Sequence, residues 1–306
     1  MGEAFSAGVI EDTALELLRM AVTRLPEDVV AALRRLHEEE TEPAPRMQLA
    51  AILENLRLAE ESGTPLCQDT GVHVFFVRAP GAIGSLAAVE GAIRRGVERA
   101  TAEVPLRPNA VHPLTRRNSG NNLGAHLPYV LFEPSGDDFI ELTAMPKGAG
   151  SENMSAMAML TPSAGERGVK RFVLETLLRA GSNPCPPVIL GIGLGGSADI
   201  CLSLAKRALL RPLGSRSPDP DVARLEEELF DALNGIGIGP MGLGGRSTLL
   251  GLQIEHAHCH TASLPVGVNI QCWAARRATA RIHPGDRVEW VTHAAPGAPG
   301  ARRGVG

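Results

Sequence analysis

Three of the five cysteines sit among glycine, proline and polar residues: Cys67 in PLCQDTG, Cys185 in SNPCPP and Cys272 in LPVGVNIQCWAARR. Thiolates held by such punctuated backbone suit a metal cluster. Three donors without a fourth would leave one iron of a cubane open as a Lewis acid. The absence of any CxxC pair disfavours a zinc ribbon or a two-cluster ferredoxin. The competing reading is that these are ordinary thiols, because free cysteine is commonly buried. Cys201, beside Ile200, Leu204 and Leu209 in an amphipathic stretch, fits that reading best.

Other groups could do chemistry nearby. His256, His258 and His260 alternate in EHAHCHTASLP, so an extended chain would put them on one face, as for a mononuclear zinc or iron site. Without an HExxH context, one working histidine beside two structural ones is preferred. Gly191, Gly193 and Gly196 match GxGxxG after a strand-like PVIL, which would suit a dinucleotide phosphate. No acidic strand end follows about 20 residues later, so a tight turn supporting a neighbouring site is preferred. GIGIGPMGLGG from Gly235 could let backbone approach a cluster or substrate closely. In MPKGAGSENMSAMAML, Lys147 is one of three lysines. The amides of residues 148–150 could nest an anion at the start of a helix over 152–160, or the segment is a capped helix with a solvent-facing lysine. Arg107 in VPLRPN could clamp a carboxylate or make a surface pair, and NSGNN at 118–122 reads as a polar turn.

Positioning these groups requires a sizeable body, and 306 residues supply one large domain or two modest ones. The first sixty read as helices, with a Thr13–Glu16 capping box, a second helix from Pro26 ending in a solvated acidic run at 38–40, and a third with Leu49, Ile52, Leu53 and Leu56. Period-two apolar residues then predict strands at 72–76, 127–132, 140–145, 188–192 and 287–291. Helices are expected at 86–99, 169–179, 198–210 and 222–233. The class is α+β: an N-terminal helical region (1–60), then mixed β-sheets surrounded by helices in a catalytic domain (61–292). A lobe boundary is expected near 214–221 and a disordered tail at 293–306. The net charge of −4 and the 3% aromatic content leave no surface for nucleic acid. No export signal or membrane span is read, and the odd cysteine count fits a reducing, cytoplasmic compartment.

In order, PLCQDTG, RRNSGNNLGAHLP, MPKGAGSENMSAMAML, GIGLGGSAD and GIGIGPMGLGGRSTLLGLQIEHAHCHTASLPVGVNIQCWAARR resemble the α part of class I iron-sulfur fumarases and the related tartrate dehydratases. The resemblance implies an iron-sulfur hydro-lyase of the α-domain type, with a 4Fe-4S cluster on Cys67, Cys185 and Cys272. It implies substrate contacts from Gln68, Asp69, Arg107, Gly148 and Gly150, and catalytic roles for Asp69 and His260. Cys259 becomes a neighbour, and Ala149 departs from a third glycine common in relatives. The expected reaction is reversible dehydration of (S)-malate to fumarate, a tricarboxylic acid cycle step, with L(+)-tartrate as the alternative substrate. Full-length relatives carry further arginines, a lysine and a base threonine in a domain this chain lacks. A separate β subunit is therefore expected, in a heterotetramer of two α and two β chains. The rivals are a dinucleotide-binding oxidoreductase on Gly191–Gly196 and an inactive metal-binding assembly subunit.

Overall fold

A computed structural model describes residues 5–81 and 83–296. Three helices come first, α1 (Ala7–Thr23), α2 (Glu27–Glu39) and α3 (Pro43–Ser62), then β1 (Val72–Pro80), α4 (Leu86–Glu103), β2 (Tyr129–Ser135) and β3 (Ile140–Lys147). A four-residue helix α5 (Ala149–Glu152) precedes β4 (Ala156–Leu160), α6 (Gly165–Ala180), β5 (Val188–Gly196), α7 (Ala198–Ala208) and α8 (Pro220–Asn234). The chain closes with β6 (Leu249–Cys259), β7 (Leu264–Gln271), β8 (Ala278–His283) and β9 (Arg287–Trp290). The α+β class is as expected. No described helix is long and apolar enough to cross a membrane.

The chain forms two compact units, each assembled from separate stretches. The first comprises Met1–Glu27, Glu54–Gly148 and Arg276–Gly306. Its sheet has the order β2-β1-β3-β8-β9, with β1 parallel to β2 and the other pairs antiparallel. Ser6 starts α1 by accepting a hydrogen bond from Val9 N at 3.3 Å, and Ser85 does the same for α4 through Ala88 N. The helix thus begins before the Thr13–Glu16 box, whose Thr13 is buried inside it. At the α1–α4 crossing Gly96 permits close approach, since a Cβ there would lie 2.6 Å from the Glu11 carbonyl oxygen. Leu17, Leu18, Ile93, Phe75 and Leu142 fill the core against the sheet.

The second unit comprises Asp28–Leu53 and Ala149–Ala275. Its sheet has the order β4-β7-β5-β6, with β5 parallel to β6 and the other pairs antiparallel. Leu190 and Ile192 pack with Val173 and Leu177 of α6 and Leu225 and Leu229 of α8. The alternate residues Gly191 and Gly193 face α7 instead, as the period of two requires. A Cβ at either would fall into the carbonyl oxygen of Ala205 or Cys201. These glycines therefore bring a helix onto a strand, and the GxGxxG run cradles no phosphate by that means.

One other expectation changes. Residues 156–160 form an edge strand paired with β7, where a helix over 152–160 was expected. The contacts divide at 27/28, 53/54, 148/149 and 275/276, where boundaries near residue 60 and within 214–221 were expected. Physically, Glu40 and Asp28 hydrogen-bond Arg246 and Leu213 of the second unit, and Ser217 N is held by Glu226. Of the tail expected at 293–306, residues 297–306 lie outside the described residues.

Candidate functional site

In the first unit Cys67 and Gln68 are exposed on the loop that leads into β1. Asp69 Oδ1 accepts from Gly71 N at 2.9 Å and from Asn109 Nδ2 at 3.5 Å. Gly71, at φ +85, lies so close to β3 that a Cβ would stand 2.7 Å from Lys147 N. Lys147 is buried rather than solvent-facing. Gly148 lies against the same aspartate: a Cβ on it would meet Asp69 Oδ2 at 3.2 Å and an Arg276 guanidinium nitrogen at 2.9 Å. Arg276, itself buried, donates to the Asp69 carbonyl. The unit thereby gathers Asp69, Gly148 and a buried cation.

Arg107 is exposed, but its backbone is fixed. Its N–H donates to Thr70 Oγ1 at 3.0 Å, and its carbonyl accepts from Asn122 Nδ2 at 3.2 Å. Asn122 is buried, has φ +59, and also accepts from Asn109 N at 2.7 Å. Asn118 donates to Pro108 O at 2.7 Å. NSGNN is thus more than a polar turn: its side chains replace missing secondary structure for the Arg107 loop. His73, on β1, is buried with neither ring nitrogen bonded among the described residues. Burial, and then the Arg276 charge, hold its pKa down to about 4, so the ring is neutral at pH 7.

In the second unit Cys185 has φ +55, donates its N–H to Ser182 O at 3.0 Å and accepts from Trp273 N at 3.2 Å. That last bond brings Cys272 beside Cys185 along the backbone. Cys272 Sγ lies 3.6 Å from Ala274 O, and both thiols are half-buried. Cys67 stands on the first unit, so the expected three-cysteine set is divided one and two. Cys201 is fully buried on α7, where desolvation pushes its thiol pKa up. It is buried, as expected.

His260 follows β6 in the turn to β7. Its Nδ1 accepts from Ala262 N at 3.0 Å, so the proton of the neutral ring sits on Nε2. His256 lies 3.6 Å from Asp219, and no group of three His, Cys, Asp or Glu side chains converges on a single ion among the described residues. The three histidines therefore do not form a mononuclear site. A cavity of about 510 Å³ opens beside His260, lined in part by Val169, Leu194, Val222 and Cys259. Gly150 is exposed, and a Cβ on it would lie 3.4 Å from Asn183 O.

Sequence reasoning did not find Arg276, Asn109, Asn122, His73 or Glu40 as parts of the supporting structure. Glu40, the last residue of an apparently solvated acidic run, is buried.

A family model described as fumarate hydratase (Fumerase) matches residues 11–281. A Methanocaldococcus jannaschii protein, provisionally named L(+)-tartrate dehydratase subunit alpha, is 53% identical over 89% of this chain and 97% of its own length. L(+)-tartrate dehydratase subunit alpha of Escherichia coli strain UTI89 is 38% identical over 90% of this chain and 91% of its own. The subunit of that name from Shigella boydii is 37% identical over the same shares.

Proposed function

The chain belongs to the fumarate hydratase family, and on that premise we propose that it is the α subunit of a cytoplasmic iron-sulfur hydro-lyase acting on a four-carbon 2-hydroxy dicarboxylate. The observation that carries this reading is the pair of half-buried cysteines joined by the Trp273–Cys185 backbone bond, taken with family membership. Cys67, Cys185 and Cys272 would be the thiolate ligands of the iron-sulfur cluster. Thiolates at separate corners of a cubane need not converge as ligands of one ion do. When bound, a 4Fe-4S cluster would supply Lewis-acid assistance to departure of the substrate hydroxyl.

The chain's own residues would do the rest. Arg107, exposed on a fixed backbone, would grip a substrate carboxylate bidentately. Gln68 and the backbone at Gly148 and Gly150 would add polar contacts. Asp69 Oδ1 accepts a hydrogen bond from Gly71 N, which orients the carboxylate to tune the acid/base step at the carbon neighbouring the hydroxyl-bearing one. His260, with its proton on Nε2, would donate to or orient the departing oxygen. A separate β subunit, in an α2β2 assembly, would supply the remaining carboxylate contacts and the base.

Two substrates are each favoured by an observation. The family description points to malate and fumarate, and the relatives' names point to L(+)-tartrate, whose dehydration gives oxaloacetate. The chain, purified anaerobically with and without the β subunit and reconstituted with iron and sulfide, should be assayed on both. Activity is expected only in the pair, with visible cluster absorbance lost in Cys67→Ser, Cys185→Ser and Cys272→Ser but kept in Cys201→Ser. A colourless protein, or one active on neither acid, would overturn the reading.

A further inference from the structure

Glu40 presents a buried carboxylate with no catalytic task. It follows α2 and is 1% exposed. Its Oε1 accepts from Thr41 N at 3.0 Å and Glu42 N at 3.1 Å; its Oε2 accepts from Arg246 N at 2.9 Å and Ser247 Oγ at 3.3 Å. These donors are dipoles rather than a cation. Burial acts to raise the carboxyl's pKa, but the hydrogen bonds outweigh it and hold the group below the usual range.

What Oε2 grips is the end of the glycine-rich run. Gly245, at φ +86, lies so near that a Cβ would stand 2.6 Å from Glu40 Oε2. From there the chain folds back on itself, with Gly244 N donating to Ile238 O at 2.9 Å and Gly239 N to Thr248 Oγ1 at 3.1 Å. The tip of the loop touches both sides of Cys185. Met241 N donates to Pro186 O at 2.8 Å, and a Cβ on Gly242 would lie 2.6 Å from Ser182 Cβ. Cys185 itself sits in the left-handed region, costly for a non-glycine residue unless its surroundings hold it there.

We infer that Glu40 is a positioning residue for cluster retention: through the loop of residues 238–245 it holds the Ser182–Pro186 segment in the conformation that presents the Cys185 thiolate. This rests on the reading of Cys185 as a cluster ligand. A helix-capping role explains only Oε1, whose partners are local; Oε2 reaches 206 residues along the chain. Glutamine can keep only one of the two accepting oxygens.

The test uses the reconstituted α–β complex and compares wild type, Glu40→Gln, Cys185→Ser and Leu229→Ala. Leu229 is a buried α8 residue of the same unit's core, so its truncation destabilises that unit without removing any hydrogen bond to the loop or to residues 182–186. The readouts are the rate of iron loss to a ferrous chelator, followed by visible absorbance, and hydrogen exchange over residues 182–187 in the metal-free chain. Glu40→Gln should lose iron about tenfold faster or more, as supporting-shell changes commonly do. It should also exchange faster at 182–187, while Leu229→Ala, destabilised by its truncated core side chain, keeps the wild-type rate of iron loss. Equal iron loss in Glu40→Gln and wild type, or in Glu40→Gln and Leu229→Ala, would overturn the inference. If wild type and Cys185→Ser were equally unable to take up a cluster, the ligand reading itself would fall. Should Glu40→Gln not fold, Gly242→Ala presses on Ser182 from the same loop and carries the same expected outcomes.

Discussion

The two units hold their functional segments by different physical means. In the first, the Asp69 and Arg107 loops are tied by side chains: Thr70, Asn109, Asn118 and Asn122 replace the hydrogen bonds a strand would give. In the second, the Cys185 loop is tied mainly by backbone meeting backbone, through glycines whose missing Cβ atoms allow contact. The difference matches the tasks proposed for them. On that proposal, the substrate-facing loops would be carried on side-chain hydrogen bonds, whereas a thiolate donor would have its main chain fixed in one unusual conformation.

The strongest way to break this contrast is to add one methyl group to the second unit. Gly193→Ala would drive a Cβ into the Cys201 carbonyl and lever α7 off the sheet, costing more than about 3 kcal/mol in denaturant unfolding. A mild effect would show that the close packing is slack. In the first unit, His73 should make stability depend on pH. Its folded pKa, about 4, lies below the unfolded 6.5, so the unfolded chain binds the extra proton; stability is full above 6.5 and falls as pH drops towards 4. The loss should reach about 3 kcal/mol and be absent in His73→Leu, measured by melts across that window.

Asn122→Ala should cost about 2 kcal/mol by leaving Asn109 N–H and one Arg107 carbonyl bond unmade, and should raise substrate KM more than it lowers kcat. An unchanged KM would separate the asparagine scaffold from binding. Arg107→Met, at an exposed side chain, should change stability by less than about 0.5 kcal/mol yet raise KM about tenfold. Smallest of all should be Arg224→Ala. With Lys170, Arg224 holds the Glu166 carboxyl down to about 2, but the network is solvent-exposed, so the melting midpoint at neutral pH should stay at the wild-type value.

Much of the helical frame could be read from spacing alone. α4, α6, α7 and α8 fall where apolar residues recur at helical intervals, and the β1, β3 and β5 cores were visible as alternating or continuous apolar runs. AMAML was not, because alanine, methionine and leucine favour helix locally and only pairing with β7 makes the segment a strand. β6 was not read as a strand either, and its partner β5 lies far along the chain, whereas β8, also missed, pairs with distant β3 and with adjacent β9. The cysteines and Asp69 stood out through their punctuated surroundings. Glu40 did not: Glu38 and Glu39 beside it are exposed, and only a partner 206 residues away distinguishes it. Arg276 was likewise indistinguishable from its neighbour until Asp69 and Gly148 were placed against it.

The interleaving of the two units has a consequence for the chain as it is made. β3 cannot gain its partner β8 until residue 278 has been synthesised, and Glu40 must wait for residue 246. Each unit is therefore closed by contacts between the early and the late chain, which makes folding slow and leaves apolar strands exposed on the ribosome for most of translation. Expression should accordingly respond more to chaperone supply and translation speed than the equilibrium stability of the finished chain would suggest.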